Sequence, residues 1–292
     1  MKVITHNDDF GLTYGFTEAI KDAFLKGLTT STSIRTNGTA YHLAVQLLKT
    51  KLKSIGLGLH LNLVDGKSHT KALANHSGSY KYNFLQYLIL SYFNKKILID
   101  IENELDWQFQ QVLKDNLKID HVSGHNHTYA IPPIFKIVCR LCQKYQVKAI
   151  RLPKEPFYLT TSFLKNITPF LNTNIIKFLI LNFFSRQNKK IVKKYGLKTT
   201  NIFYGILFTG NMDLLTIKAA INDAQKRGYR VIEILTHPAY HSDPRDKIYT
   251  SKTIKNYVRS KDRRVETEVS QSEELKHFFS QKKILTINYR NL

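Results

Sequence analysis

The sequence predicts an α/β fold, namely a single (β/α) barrel of irregular, TIM-barrel-like form. Three apolar or β-branched stretches alternate with two helical stretches within the first ~60 residues, an alternation typical of parallel β/α units. Similar stretches continue along the chain, so that about eight strands are predicted with helices between them, as in a barrel. Polar residues lie at or just past the ends of several strands, and barrels carry their functional sites at the carboxyl ends of the strands. Six such residues are Asp8, Asp9, His60, His125, Arg151 and His237.

The individual elements are predicted from the spacing of apolar residues and from turn-forming residues. Apolar residues at helical spacing predict a helix over residues 14–26, which Gly27 ends. The β-branched, alternating residues 30–35 predict the second strand, and Asn37-Gly38 predicts a turn after it. The other predicted strands cover residues 3–4, 55–61, 119–122, 147–152, 202–207, 231–235 and 284–288, and the other predicted helices cover residues 40–49, 100–113, 133–146, 213–227 and 270–280.

A length of 292 residues with 42% hydrophobic residues suffices for one large barrel with a sizeable core, or for two ordinary domains. We expect one domain over residues 1–292, with a variable apolar and basic insertion at about residues 155–200. Two cysteines in a chain of this length suggest a reducing compartment. The amino terminus also lacks the pattern of a signal peptide. Both observations predict a cytoplasmic protein.

The formal net charge of +22 predicts attraction to an anionic partner, such as nucleic acid, an acidic lipid surface or an anionic substrate. Within the insertion, the apolar residues 175–184 precede a strongly basic run, as in an interfacial anchor. The apolar run is about half as long as a bilayer-crossing helix. We therefore expect peripheral contact with an anionic membrane at its inner face. The alternatives are a buried helix with a solvated tail, or an oligomer contact such as a homodimer interface.

Asp8 and Asp9 are adjacent carboxylates at the end of the first predicted strand. They repel each other, and no local Lys or Arg relieves the repulsion, whereas a bound cation or a catalytic proton would. Neighbouring residues in a strand point to opposite faces, so one carboxylate can hold a metal while the other faces a substrate. The alternative is a helix N-cap with an additional charge, since Asp is favoured at that position.

One carboxylate and two imidazoles commonly hold a catalytic divalent metal with open coordination positions. Such a metal lowers the pKa of a bound water and polarises a carbonyl group. A second carboxylate can accept the proton of the water, and a histidine opposite can protonate the leaving group. The residue types at the strand ends are therefore those needed to hydrolyse an amide or an ester. His125 and His127 would face the same way if their strand persists.

Several motifs of the sequence resemble those of the YdjC-like carbohydrate deacetylases. Four motifs carry the resemblance: Asp8-Asp9-Phe10-Gly11, Gly58-Leu59-His60-Leu61-Asn62, the run from His121 to His127, and His237-Pro238-Ala239. The resemblance extends over nearly the whole chain and is weakest at residues 68–98 and 157–198. It looks closest to the hopanoid-biosynthesis-associated branch of the family.

The resemblance implies a reaction and a role for each matching residue. The implied reaction is removal of an N-acetyl group from an amino sugar of the N-acetylglucosamine type, which in this chain could be linked to a lipid. The implied ligands of one divalent ion, Mg or Zn, are Asp9, His60 and His125. The other implied roles are general base for Asp8, general acid for His237, orientation of Asp8 for Arg151, and substrate binding for Asn62, His127 and Tyr129.

Four positions depart from the family pattern: His6, Asn7, Ser123 and Tyr129. Because they neighbour the implied ligands, we expect them to alter metal affinity, metal choice and substrate. Two other functions fit parts of the sequence. A metal-dependent phosphodiesterase or nuclease would use the positive charge, although the sequence lacks an aromatic and basic nucleic-acid module, which argues against nucleic acid. A non-catalytic, sugar-binding relative would retain the motifs without the reaction.

Overall fold

The structure, a computed structural model, describes residues 1–160, 173–241, 243–246 and 252–292. Its centre is a parallel sheet in the order β5-β4-β3-β2-β1-β7-β6, with β8 paired to the first residues of β1. The strands are β1 (Lys2–Phe10), β2 (Ser31–Ile34), β3 (Gly56–Leu61), β4 (His121–Gly124), β5 (Ala149–Ile150), β6 (Ile202–Tyr204), β7 (Val231–Thr236) and β8 (Leu285–Thr286). All of these pairings are parallel, as the alternation of strands and helices predicts.

The helices pack around the sheet and are largely those that apolar spacing predicts. They are α1 (Tyr14–Lys26), α2 (Tyr41–Thr50), α3 (Phe84–Phe93), α4 (Lys95–Lys114), α5 (Pro132–Lys144), α6 (Thr173–Lys194), α7 (Leu214–Lys226), α8 (Lys252–Val258), α9 (Lys261–Ser270) and α10 (Glu273–Gln281). The N-caps of α3 and α4 are Asn83 and Asn94, whose side chains accept hydrogen bonds from the first turns. Part of the predicted insertion, residues 161–172, lies outside the described residues.

Helices α3, α8 and α9 were not predicted, and in α9 the reason is a buried side that is mostly polar. Arg263, Glu266 and Thr267 are buried there, so the segment lacks an apolar stripe. In the part of the chain that the structure describes, no helix is both long and apolar enough to cross a bilayer.

The sheet curls so that its two ends approach each other. Strands β5 and β6 stand at opposite ends of the strand order, yet the N–H of Phe203 in β6 donates to the carbonyl of Lys154 at 2.9 Å. The Glu155 carboxylate also accepts hydrogen bonds from the N–H groups of Gly205 and Leu207, each at 2.7 Å. Among the described residues, no ladder joins β5 to β6. The predicted α/β architecture is therefore confirmed as a curled, barrel-like parallel sheet, whose described strands do not form a closed ring.

The inside of the curl is apolar at one end and polar at the other. Alternate residues Ile4, His6 and Asp8 of β1 face this interior, since residues two apart share a face of a strand. Ile4 packs with Ala149 and Tyr289 in a small apolar cluster, whereas His6 and Asp8 are buried among polar side chains. The large apolar core lies between the sheet and the helices. The fold thus places titratable groups in its interior, at the carboxyl ends of the strands.

Candidate metal centre

The structure brings Asp9, His60 and His125 together from the ends of β1, β3 and β4. Each offers one ligand atom, and these atoms lie within 4.8 Å of one another. The Oδ1 atom of Asp9 is 3.2 Å from Nδ1 of His125 and 3.5 Å from Nε2 of His60. All three side chains are buried. They form the one candidate metal cluster within the described residues.

Local backbone conformation at the ends of β1 and β4 turns these side chains inward. Asp9 has a positive φ of 67°, and the pairing of β1 with β2 shifts register between Asn7 and Phe10. This interruption ends the alternation of faces, so Asp8 and Asp9 line the same cavity instead of opposite sides of the sheet. Asp and Asn tolerate this conformation better than most residues.

His125 and His127 also line one cavity, although not because a strand persists. Strand β4 ends at Gly124, and Asn126 and His127 have positive φ values of 51° and 55°. The two left-handed residues turn the chain sharply after the strand. Both imidazoles thereby reach the same space.

The electrostatics of the cluster favour the protonation states that metal ligands need. Burial alone would raise the pKa of Asp9, but His125, His60 and Arg35 together hold it well below its usual range. Burial lowers the pKa of His60 to about 4, against the opposing effect of the Asp8 and Asp9 carboxylates. Asp9 is therefore ionised and His60 neutral near pH 7. An ionised carboxylate and a neutral imidazole fit a divalent metal.

Two serines orient His60. Its Nδ1 atom lies 3.0 Å from Oγ of Ser33 and 2.9 Å from Oγ of Ser123. With Nδ1 bound in this way, Nε2 is directed at Asp9. Ser123 departs from the family pattern, yet it supplies one of the hydrogen bonds that hold this candidate ligand.

Asp9 has further partners that the sequence did not reveal. The hydroxyl of Tyr257 in α8 donates to Oδ2 of Asp9 at 3.0 Å, and the Arg35 guanidinium donates to Oδ1 at 3.4 Å. Tyr257 belongs to a helix that apolar spacing did not predict. The structure alone brings it to the candidate metal centre.

Asp8 is held as a carboxylate beside the cluster. Arg151 donates to both of its oxygens, from Nη1 at 2.7 Å and from Nη2 at 2.9 Å, and Ser33 donates to Oδ1 at 3.0 Å. Burial alone would raise the pKa of Asp8, but Arg151 and the neighbouring histidines hold it well below its usual range. The two-point contact with Arg151 also fixes the plane of the carboxylate.

A cavity of about 150 Å³ contains the three candidate ligands and Asp8. His237 lines this cavity, and its backbone N–H donates to the Glu266 carboxylate of α9. Its Nδ1 atom lies 3.3 Å from Oε2 of Glu266, without hydrogen-bond geometry. His127 and Lys177 line the cavity as well. The Nδ1 atom of His127 is buried and has no hydrogen-bond partner among the described residues.

Asn62 and Tyr129 are buried beside the cavity and do not line it. The Asn62 side chain accepts hydrogen bonds from the N–H groups of Val64 and Asp65, at 3.2 and 3.3 Å. The Tyr129 hydroxyl donates to the carbonyl of Arg151 at 2.9 Å. Their contacts place them as supports of a loop and of Arg151, and their direct contact with substrate stays a prediction.

Comparison with known proteins supports the resemblance that the sequence motifs indicate. The sequence profile of the family described as YdjC-like protein matches residues 2–281. This chain belongs to the YdjC-like protein family. The match covers well over half of the chain and includes every residue of the candidate site, from Asp8 to His237.

Individual relatives agree with the YdjC-like assignment. A protein of Brevibacillus brevis named carbohydrate deacetylase is 26% identical over 296 residues, covering 100% of both chains. A mouse protein of the same name is 27% identical over 263 residues, covering 84% of this chain and 80% of its own. Among solved structures, a candidate cellobiose-phosphate cleavage protein from Enterococcus faecalis V583 aligns with a TM-score of 0.73, at 21% identity, over 99% of this chain and 98% of that chain. The structural likeness supports the fold alone. The hopanoid-associated branch stays a prediction.

A larger groove of about 660 Å³ adjoins the cavity of this YdjC-like chain. Cavity and groove share Asp65, His125, Asn126 and Lys177. Helices α3 and α6 border the groove, and its apolar lining consists of Val64, Tyr80, Tyr82, Phe84, Ile176 and Ile180. The candidate metal centre therefore opens towards an apolar surface.

Glu233 of β7 completes the charge network behind the site. It accepts hydrogen bonds from Arg151, at 2.9 Å to Nε and 2.7 Å to Nη2, and from the hydroxyl of Tyr289. Arg151 and Glu233 are fully buried. Removing one partner of a buried ion pair is strongly destabilising, because the other charge stays buried without compensation.

We expect Glu233→Gln to lower the free energy of unfolding by about 3 kcal/mol. The expected loss of stability is at the low end of the range for buried ion pairs, because Asp8 still pairs with Arg151 in this variant. Urea unfolding measures the effect, with Glu268→Gln as the matched control. Glu268 pairs with Arg264 at 3.2 Å on the surface, where loss of a pair costs about 0.5 kcal/mol. Equal effects for the two variants would contradict the buried network.

Proposed function

We propose that this chain is a metal-dependent hydrolase that removes an N-acetyl group from an amino sugar of the N-acetylglucosamine type. The observation that carries the proposal is the cluster of Asp9, His60 and His125 with the separately held Asp8 carboxylate in one cavity. The naming of relatives as carbohydrate deacetylases supports the same reaction class.

The residues around the cavity have separate tasks in this proposal. A divalent ion bound by Asp9, His60 and His125 would lower the pKa of a water and polarise the acetyl carbonyl. Asp8, oriented by Arg151, accepts the proton of the water. His237 donates a proton to the leaving amine nitrogen. His127 and Lys177 bind the polar groups of the sugar that enters the cavity.

The donor set bears on the choice between Mg and Zn. Imidazole nitrogens suit Zn and other transition metals, whereas Mg prefers oxygen ligands and usually retains several waters. Two imidazoles and one carboxylate therefore favour Zn over Mg. We propose one divalent ion of this type as the resident metal.

Release of acetate from N-acetylated amino sugars, with metal supplied, tests the proposal. We expect release from N-acetylglucosamine-bearing substrates and none from the matching deacetylated sugars. A bis-aryl phosphodiester and duplex DNA serve as substrates for the rival phosphodiesterase or nuclease. Cleavage of the phosphodiester or of the DNA, with no acetate released from any acetylated sugar, would overturn the proposal. Binding of the sugar without release would favour a non-catalytic relative.

We further propose that the substrate is lipid-linked and that the chain contacts an anionic membrane at its inner face. Each of the two helices beside the groove carries a stripe of apolar side chains that are half or more exposed. The stripe of α3 comprises Leu85, Ile89, Tyr92 and Phe93, and that of α6 comprises Ile176, Leu179 and Phe183. Residues 81–99 and 173–194 contain lysines and an arginine but no Asp or Glu. Apolar stripes flanked by positive charge suit an anionic lipid surface.

The double variant Leu179→Ser/Phe183→Ser is expected to weaken binding to vesicles containing anionic phospholipid by at least about tenfold, because each apolar side chain contributes about 1.5 kcal/mol on burial. Vesicle sedimentation measures the binding, and Leu25→Ser, an exposed leucine on α1, is the control. Unchanged binding would contradict the membrane contact. If the variant instead converts a dimer into a monomer in analytical ultracentrifugation, the stripes form a homodimer interface.

A further inference from the structure

Two buried histidines in the interior have no task in the proposed reaction. His6 of β1 and His121 of β4 are fully buried, and their Nε2 atoms lie 2.8 Å apart. At the other side of His6, Nδ1 lies 2.9 Å from Nη2 of Arg151. At the other side of His121, Nδ1 contacts Oδ1 of Asp120. A continuous line of hydrogen bonds thus runs from Arg151 to Asp120.

The chemistry of the two end groups sets the direction of every bond in this line. Arg151 can only donate, and its Nη2 lies nearer to Nδ1 of His6, at 2.9 Å, than the acceptor Oδ1 of Asp8 does, at 3.2 Å. We therefore assign Nδ1 of His6 as an acceptor without a hydrogen. Burial and the Arg151 charge lower the pKa of His6 well below its usual value, which keeps this ring neutral. Its hydrogen therefore sits on Nε2 and is donated to Nε2 of His121. His121 then donates from Nδ1 to the Asp120 carboxylate.

Asp120 anchors the line at the opposite end of the strands from the metal centre. It precedes β4, and its Oδ2 accepts hydrogen bonds from the N–H of Leu57 at 3.0 Å and from Nε of Arg290 at 3.1 Å. The Tyr289 ring stacks on His121 with centroids 3.9 Å apart. These contacts hold His121 in place, so its Nδ1 hydrogen stays directed at Asp120.

We propose that His6, His121 and Asp120 are positioning residues that fix Arg151, and through it the Asp8 carboxylate, for the reaction. The inference rests on the proposed function, because it assigns Asp8 the role of base. One nitrogen, Nη2 of Arg151, donates to Oδ1 of Asp8 at 2.9 Å and to Oε1 of Glu233 at 2.7 Å, and it also lies 2.9 Å from Nδ1 of His6. If His6 carried its hydrogen on Nδ1, two donors would face each other there. The guanidinium would then be displaced from Asp8.

Two substitutions at His6 distinguish a side chain that positions Arg151 from one that only fills space. Glutamine can retain an acceptor for Arg151 and an N–H donor for His121, whereas phenylalanine retains the ring shape and offers neither. We expect His6→Phe to lower kcat for acetate release about 10- to 100-fold, with KM and metal content nearly unchanged. We expect the kcat of His6→Gln to stay within about threefold of the value for the unsubstituted protein, because glutamine can retain both hydrogen bonds. Equal losses in both variants, or no loss in either, would overturn the inference.

The positions of the hydrogens on His6 and His121 can be measured without an assay of acetate release. In ¹⁵N NMR spectra of the full chain, we expect Nδ1 of His6 and Nε2 of His121 to be unprotonated, and the other nitrogen of each ring to be protonated. The signals are assigned by their loss in His6→Gln and in His121→Gln. Asp120→Leu removes the acceptor of the His121 Nδ1 hydrogen, so we expect the His121 signals to shift while Nδ1 of His6 stays unprotonated. Spectra with Nδ1 of His6 protonated, or with His121 signals unchanged by Asp120→Leu, would overturn the inference even if the chain proves inactive on acetylated sugars. If the spectra agree while acetate release is absent, the proposed function fails and the hydrogen-bonded line stands.

Discussion

Replacing His125 with alanine is expected to remove the bound metal and to lower acetate release by at least about 10³-fold, because the metal contributes several kcal/mol to the reaction. His125 supplies one of the three candidate ligand atoms, and its Nδ1 lies 3.2 Å from Asp9. With two ligands left, the site no longer has the donor set of a catalytic metal. Metal content by atomic absorption and initial rates of acetate release measure the two effects.

His76→Ala is the control for His125→Ala. His76 is exposed in the loop before α3, away from the cavity, so its loss should leave both metal content and rate unchanged. If His125→Ala keeps a full equivalent of metal and a normal rate, the assignment of the metal centre is wrong.

Asp8→Asn is expected to keep the metal and to lower the rate of acetate release about 10²- to 10⁴-fold, the contribution of a general base. Asparagine occupies the same volume and can still accept a hydrogen bond from Arg151, but it cannot take a proton from water. Arg151 retains its pair with Glu233 in this variant, so the fold should persist. Metal content, far-UV circular dichroism and the rate are measured on one preparation.

The Asp8→Asn result also distinguishes the rival functions. A catalytic protein with this substitution loses acetate release and keeps its metal. A non-catalytic sugar-binding relative shows no acetate release even without the substitution. Loss of the metal together with the rate would make Asp8 a ligand. An unchanged rate would assign the proton transfer to another group.

Much of the fold was predictable because its elements carry regular apolar spacing. Helix α1 lies over the predicted residues 14–26, and β3 begins within one residue of its predicted start. The extent to which the sheet closes was not predictable, because closure depends on contacts between distant segments. The hydrogen bond between Phe203 and Lys154 is an example. Strand β5 lies within the predicted residues 147–152, but it is only two residues long, too short for its bounds to follow from a period-2 pattern.

The candidate ligands were predictable from their positions at strand ends, but their supporting residues were not. Glu233 and Arg151 are 82 positions apart in sequence, and only the fold pairs them. A signal for Glu233 did exist, since a lone charge within the apolar strand Val231–Thr236 needs a buried partner. Tyr257 and Glu266 had no such signal, because their helices lack apolar spacing.

Acetate release by one preparation, first stripped of metal and then given Zn, Mn, Co or Mg in turn, tests the proposed reaction most directly. We expect no release from an N-acetylglucosamine-bearing substrate without metal, and release that reaches its maximum at one equivalent of metal, with Zn above Mg. The same series on His125→Ala should show no release with any metal. Release that persists after stripping, or that never occurs although one equivalent of metal binds, would contradict a metal-dependent deacetylase.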